Sequence, residues 1–128
     1  MLNWRRPTNL GVTNGRFAAC RRTPNCVSSQ ADPADAEHYI APIPFRGDAM
    51  AAVRQAVAAL PRRTVISEKQ NYLYAEFRSR LLGFVDDVEF FYDGAAIHVR
   101  SASRLGRRDF GVNRKRVERL RALITQKP

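Results

Sequence analysis

Three runs of alternating residues bring together side chains that could do chemistry. Asn71 to Ser79 reads as a strand with Tyr72, Tyr74, Glu76 and Arg78 on one side and Leu73, Ala75 and Phe77 on the other. Phe84 to Asp93 adds Asp87 and Glu89 to the polar side, with Phe84, Val88, Phe90 and Tyr92 inward, and Ala96 to Ser103 adds His98 and Arg100. A face of mixed acids, bases and phenols can bind a polar ligand, with Arg78 or Arg100 clamping an anion at two points. The carboxylates Glu76, Asp86, Asp87 and Glu89, with His98, also offer the acid and base of glycoside or ester hydrolysis. The plainer expectation is a solvated face carrying cross-strand charge pairs. Asp86 is the exception, because it falls among the inward positions. It needs a partner from Arg100 to Arg104 or from the start of the last helix.

Arg100 to Arg116 concentrates Arg, Ser, Gly and Asn just before and inside a helix start, where unpaired N–H groups favour an anion. Against that stands a structural role: Ser101, Ser103, Asp109 and Asn113 as caps and turns, and Arg104 and Arg114 anchored on Asp86 or Asp87. Cys20 and Cys26 are spaced Cys-x5-Cys, and with His38 and His98 they match no zinc pattern. Two thiols and a redox-dependent clip both remain open, and a cytosolic chain would keep the pair reduced. No Gly-x-Ser-x-Gly elbow surrounds Ser28, Ser29, Ser101 or Ser103. No cofactor and no metal is expected.

These side chains need a scaffold, and the patterning supplies one. Residues 1–37, punctuated by Pro7, Gly11, Gly15, Pro24 and Pro33, read as an extended N-terminal arm, with the compact domain at 38–128. His38 to Phe45 is an edge strand or lead-in, since Pro42 and Pro44 lack an N–H. A helix follows, capped by Asp48, with Met50, Val53, Val57 and Leu60 on one stripe and Pro61 as its stop. Arg62 to Lys69 is a short strand, Asp93-Gly94 closes a tight hairpin, and a final helix from about Asn113 buries Val117, Leu120 and Ile124. The expected fold is a single α+β domain with a four- to five-stranded antiparallel sheet. Its order is β-α-β4-α, with both helices on one face, as in TATA-binding-protein-like and helix-grip architectures. The arm is expected over the open face, with Pro24 to Gln30 near Arg100 to Arg104.

The 128 residues carry a formal charge of +10, and the charge is terminal: +5 in residues 1–30, +7 in 104–128 and −2 between. That asymmetry suits an anion, an acidic protein surface or, less readily, nucleic acid. With 45% hydrophobic residues the chain can fill a core, which excludes wholesale disorder. No apolar run approaches the roughly 20 residues that span a bilayer, and Met1 to Leu10 has no apolar signal region, so a cytoplasmic location is expected.

Four ordered motifs carry a resemblance: Pro24-Asn25-Cys26-Val27-Ser28-Ser29-Gln30, Phe84-Val85-Asp86-Asp87-Val88-Glu89-Phe90, Arg100-Ser101-Ala102-Ser103-Arg104 and Gly111-Val112-Asn113-Arg114. Over residues 10–125 the chain resembles the DUF1499 family of uncharacterised bacterial and plastid proteins. The resemblance implies no activity, but it singles out Asn25, Cys26, Ser28, Asp86, Asp87, Glu89, Arg100, Ser101, Ser103, Arg104, Asp109, Asn113 and Arg114. The expected function is a non-enzymatic binding or interaction module for a small anion or an acidic partner. The rivals are a hydrolase using the clustered carboxylates and a nucleic-acid binder using the basic termini.

Overall fold

A computed structural model describes residues 5–80 and 83–126. Residues 1–4 of the expected arm, and 81–82 and 127–128 of the expected domain, lie outside the described residues. The elements run β1 (Cys26–Ser28), β2 (Ile43–Pro44), α1 (Ala49–Ala58), β3 (Arg63–Lys69), β4 (Tyr72–Arg78), β5 (Val85–Tyr92), β6 (Ala96–Ser103) and α2 (Val112–Thr125). All six strands join one antiparallel sheet in the order β1-β6-β5-β4-β3, with β2 also on β6.

The sheet is therefore wider than the expected four or five strands. The added strand is β1, where Cys26, Val27 and Ser28 pair with Ala102, Ser101 and Arg100. Pro24 to Gln30 was expected near Arg100 to Arg104, but three residues between Pro24 and a turn are too short to show a period of two, so their strand pairing is invisible in the sequence. Pro44 limits β2 to two residues on the outer edge of β6.

Asp48 caps α1 by accepting the Ala51 N–H at 3.1 Å, and α1 ends just before Pro61. Val53, Val57, Val117, Leu120 and Ile124 from the two helices pack with Leu73, Phe77, Val88, Phe90, Ile97 and Val99, so both helices cover one face. Each such side chain fully buried contributes about 2 kcal/mol. Phe84 does not join them. It lies outside β5 and is 39% exposed, because the strand begins only at Val85.

The opposite face is not the solvated one of the plainer expectation; the N-terminal segment lies over it. Leu10, Val12 and Phe17 pack there on Tyr72 and Tyr74, with Ile66 and Phe91 alongside, and Glu76, Asp87, Glu89 and Arg100 are buried beneath the N-terminal segment. Among the described residues no helix is long and apolar enough to cross a membrane.

Candidate functional site

The period of two in β4, β5 and β6 aims Tyr72, Tyr74, Glu76, Asp87, Glu89 and Arg100 at the covered face. Register then sets the neighbours: Glu76 lies opposite Asp87, Tyr74 opposite Glu89, and Glu89 opposite Arg100. Three carboxylates this close cannot all ionise unless cations share the space. Arg104, just past β6, supplies one. Its Nη2 lies 2.6 Å from Asp87 Oδ1 and 2.8 Å from Glu76 Oε2, and its Nε 3.2 Å from Asp87 Oδ2. Arg6 donates to the same Glu76 oxygen at 2.8 Å, and the Tyr74 hydroxyl donates to both Glu76 and Asp87. Burial alone would raise the Glu76 pKa, but Arg6, Arg104 and Tyr74 bring it down to about 2. Burial lowers the pKa of Arg104 less than Asp87 and Glu76 raise it.

Glu89 and Arg100 are less well matched. Glu89 Oε2 accepts from the Tyr72 hydroxyl at 2.6 Å and the Gly11 N–H at 2.7 Å. Among the described residues its Oε1 has no hydrogen bond, and it lies 3.9 Å from Arg100 Nη1. Arg100 is 7% exposed, donates a long bond of 3.4 Å to the Ala19 carbonyl, and has no partner for its Nε among the described residues. Burial pushes the pKa of Arg100 down and that of Glu89 up, so each charge is incompletely compensated.

Arg100 and Arg104 both border a pocket of about 450 Å3, lined also by Arg5, Pro7, Thr8 and Asn9 and by Arg21, Asn25 and Cys26. Asp87, already held by Arg104, is the one acidic residue among the described residues that line it. Cys20 and Cys26 form a disulfide, so Arg21 sits in a closed loop beside the pocket. Asn25 fixes the far end of that loop by donating to the Gly106 carbonyl at 2.8 Å.

The sequence matches the family model described as a protein of unknown function, DUF1499, over residues 16–124. The chain belongs to that family. No curated protein matches it. Arg21, Asn25, Cys26, Arg100 and Arg104 of the DUF1499 pocket fall inside the matched span, while Arg5, Pro7, Thr8 and Asn9 precede it.

Of the residues singled out in the DUF1499 sequence, Asn25, Cys26, Asp87, Arg100, Ser103 and Arg104 line the pocket and Glu89 lies against Arg100. Others belong to a separate polar cluster on the helix side. Asn113, fully buried, accepts from Ser101 Oγ at 2.6 Å and donates to Asp109 at 2.7 Å, Ser103 Oγ at 2.9 Å and the Asn25 carbonyl at 3.2 Å. Asp86 pairs there with Arg116 Nη2 at 2.8 Å. The expected anchoring of Arg114 on Asp86 or Asp87 is overturned, because its place on α2 carries it to the carbonyls of Ala36 and Glu37. Ser28 bonds the Gln30 N–H. Arg78 points away from the network, exposed at the end of β4.

The partner expected for Asp86 at the start of the last helix is Arg116. Sequence reasoning missed Arg5 and Arg21 as pocket residues, and of these Arg21 carried a signal, because it stands inside the Cys-x5-Cys loop. Ser29, His98 and Asp93 form a hydrogen-bonded series, at 3.0 Å from Ser29 Oγ to His98 Nδ1 and 3.1 Å from His98 Nε2 to Asp93. It is a strand-end clamp. Ser29 Oγ replaces a missing ladder carbonyl by accepting the Val99 N–H at 2.9 Å, and Asp93 shapes the hairpin by accepting from Ala95 and Ala96.

Proposed function

We propose that this DUF1499 protein is a non-enzymatic binding module that takes a small phosphate- or carboxylate-bearing molecule in the pocket bordered by Arg5, Arg21, Arg100 and Arg104. The observation that carries the reading is Arg100, a buried guanidinium whose Nε has no partner among the described residues, at the edge of a pocket rich in arginine. An anion there supplies the compensation that Glu89 at 3.9 Å does not. Binding is favoured over hydrolysis because Glu76 and Asp87, two of the carboxylates a hydrolase would use, are engaged by arginine and tyrosine. A concave volume of about 450 Å3 suits a small molecule better than a polymer backbone. The Cys20–Cys26 disulfide favours an oxidising compartment over the cytoplasmic location that the sequence led us to expect.

The test is a thermal-shift titration with inorganic phosphate, sulfate and citrate on the wild type and on Arg21→Ala. A saturating anion raises the wild-type melting temperature by several degrees, since about 100-fold excess over Kd stabilises by about 2.7 kcal/mol. Arg21→Ala keeps its unliganded melting temperature and loses most of the shift. No shift in the wild type, or equal shifts in both proteins, overturns the reading.

A further inference from the structure

A second cationic surface lies away from the pocket, where the end of α1, the end of β4 and the first turns of α2 meet. A groove of about 200 Å3 there has an apolar floor of Leu60, Pro61, Phe77 and Val112 and is rimmed by Arg62, Arg78, Lys115 and Arg119. All four of these cations are exposed, and among the described residues none makes an ion pair. Asp86, the nearby acid, is taken by Arg116, which also stacks on Phe77 at 5.0 Å. The potential here is therefore positive and uncompensated.

Beside this rim the chain from β6 to α2 presents Phe110, 87% exposed, with Val112 also exposed and Arg107 and Arg108 just before it. Phe110 holds a left-handed backbone, φ 53°, a conformation that a bulky side chain adopts only when its surroundings impose it. Asp109 imposes it, accepting the N–H groups of Gly111 and Asn113 at 2.9 and 3.0 Å and so pinning the turn on which Phe110 stands.

The geometry points to this end of the molecule as a docking surface for an anionic lipid bilayer, with Phe110 entering the headgroup boundary and Arg62, Arg78, Arg107, Arg108, Lys115 and Arg119 meeting lipid phosphates. An exposed apolar tip next along the chain to a cationic rim is an arrangement that peripheral attachment uses, since apolar burial and charge attraction add. A nucleic acid would be tracked by a stripe of cations and gains nothing from Val112 or from a ring standing clear of them. The surface shares no residue with the anion pocket, so the two proposals stand or fall separately.

Vesicles of phosphatidylcholine, with and without phosphatidylglycerol, test it by co-sedimentation. The wild type pellets with the anionic vesicles and not with the neutral ones. Lys115→Glu with Arg119→Glu weakens this about tenfold or more, Phe110→Ser weakens it, and Arg21→Ala leaves it unchanged. In a Trp4→Phe background, Phe110→Trp shifts its emission to the blue on anionic vesicles, a readout that a purely electrostatic contact does not give. Absence of pelleting, pelleting indifferent to Phe110→Ser, or tighter binding of a single-stranded oligonucleotide than of anionic vesicles overturns the inference.

Discussion

Arg104 and Asp87 meet as a two-point ion pair, Nη2 to Oδ1 at 2.6 Å and Nε to Oδ2 at 3.2 Å, with Asp87 2% exposed. The pair ties the chain leaving β6 to the middle of the sheet, and it consumes the charge of Arg104 before a ligand arrives. Removing the Asp87 charge leaves the buried Arg104 with Glu76 at 2.8 Å, so Asp87→Asn is expected to cost about 2 kcal/mol in urea unfolding. Replacing both, as Asp87→Leu with Arg104→Met, costs less than the two single changes summed. A double-mutant cycle measures the difference.

Glu76 gives the fold an acid-sensitive limb. Its pKa falls from the model-peptide 4.5 to about 2 because Arg6, Arg104 and Tyr74 outweigh burial. A carboxylate depressed by folding stabilises above its unfolded pKa and loses that contribution as pH falls through the folded one. Stability therefore declines between about pH 4.5 and pH 2, by on the order of 3 kcal/mol from this group. Glu76→Gln starts less stable at neutral pH and shows a shallower decline across that window, read by denaturation at a series of pH values.

The polar face was legible because β4, β5 and β6 each alternate for seven or eight residues, long enough for a period of two to declare itself. The same argument placed Glu76, Asp87, Glu89 and Arg100 together and put both helices on the other side. An arm was expected over it, but which residues cover it was not legible. Leu10, Val12 and Phe17 do so through an irregular segment whose contacts are set by tertiary packing and not by any local period. Asp86 was marked as needing a partner, but which arginine answers depends on the rotation of α2. Arg116, one turn into that helix, meets it, while Arg114 turns toward residues 36 and 37. The pocket joins residues 5–9 to residues 100–104 and was out of reach for the same reason.

Asn113 is the hub of the helix-side cluster, and its amide is used in both senses. It accepts from Ser101 and Arg116 and donates to Asn25, Ser103 and Asp109. Asn113→Asp removes the donors, and Asn113→Leu removes both donors and acceptor. Each removes several hydrogen bonds from a fully buried side chain and is expected to destabilise by about 2–4 kcal/mol. Because one of those bonds goes to the Asn25 carbonyl, which is left with the Ser103 N–H at 2.9 Å, amide exchange in β1 should quicken more than in β4, which hydrogen exchange resolves by segment.

The Cys20–Cys26 disulfide closes a short loop that carries Arg21 to the pocket while Asn25 is pinned on the Gly106 carbonyl. Closing so short a loop restricts the unfolded chain by about 2 kcal/mol, so the reduced protein, or Cys20→Ser with Cys26→Ser, should unfold at correspondingly lower denaturant. The bond also confines Arg21 to the pocket wall. Without it, that side chain must be ordered anew each time a ligand binds, and phosphate affinity is expected to fall several-fold. Calorimetric titration of phosphate into oxidised and reduced protein separates the two effects. A drop in affinity that Arg21→Ala already produces, with no further loss on reduction, locates the effect in Arg21. A fall in stability with affinity unchanged makes the disulfide a clip on the fold alone.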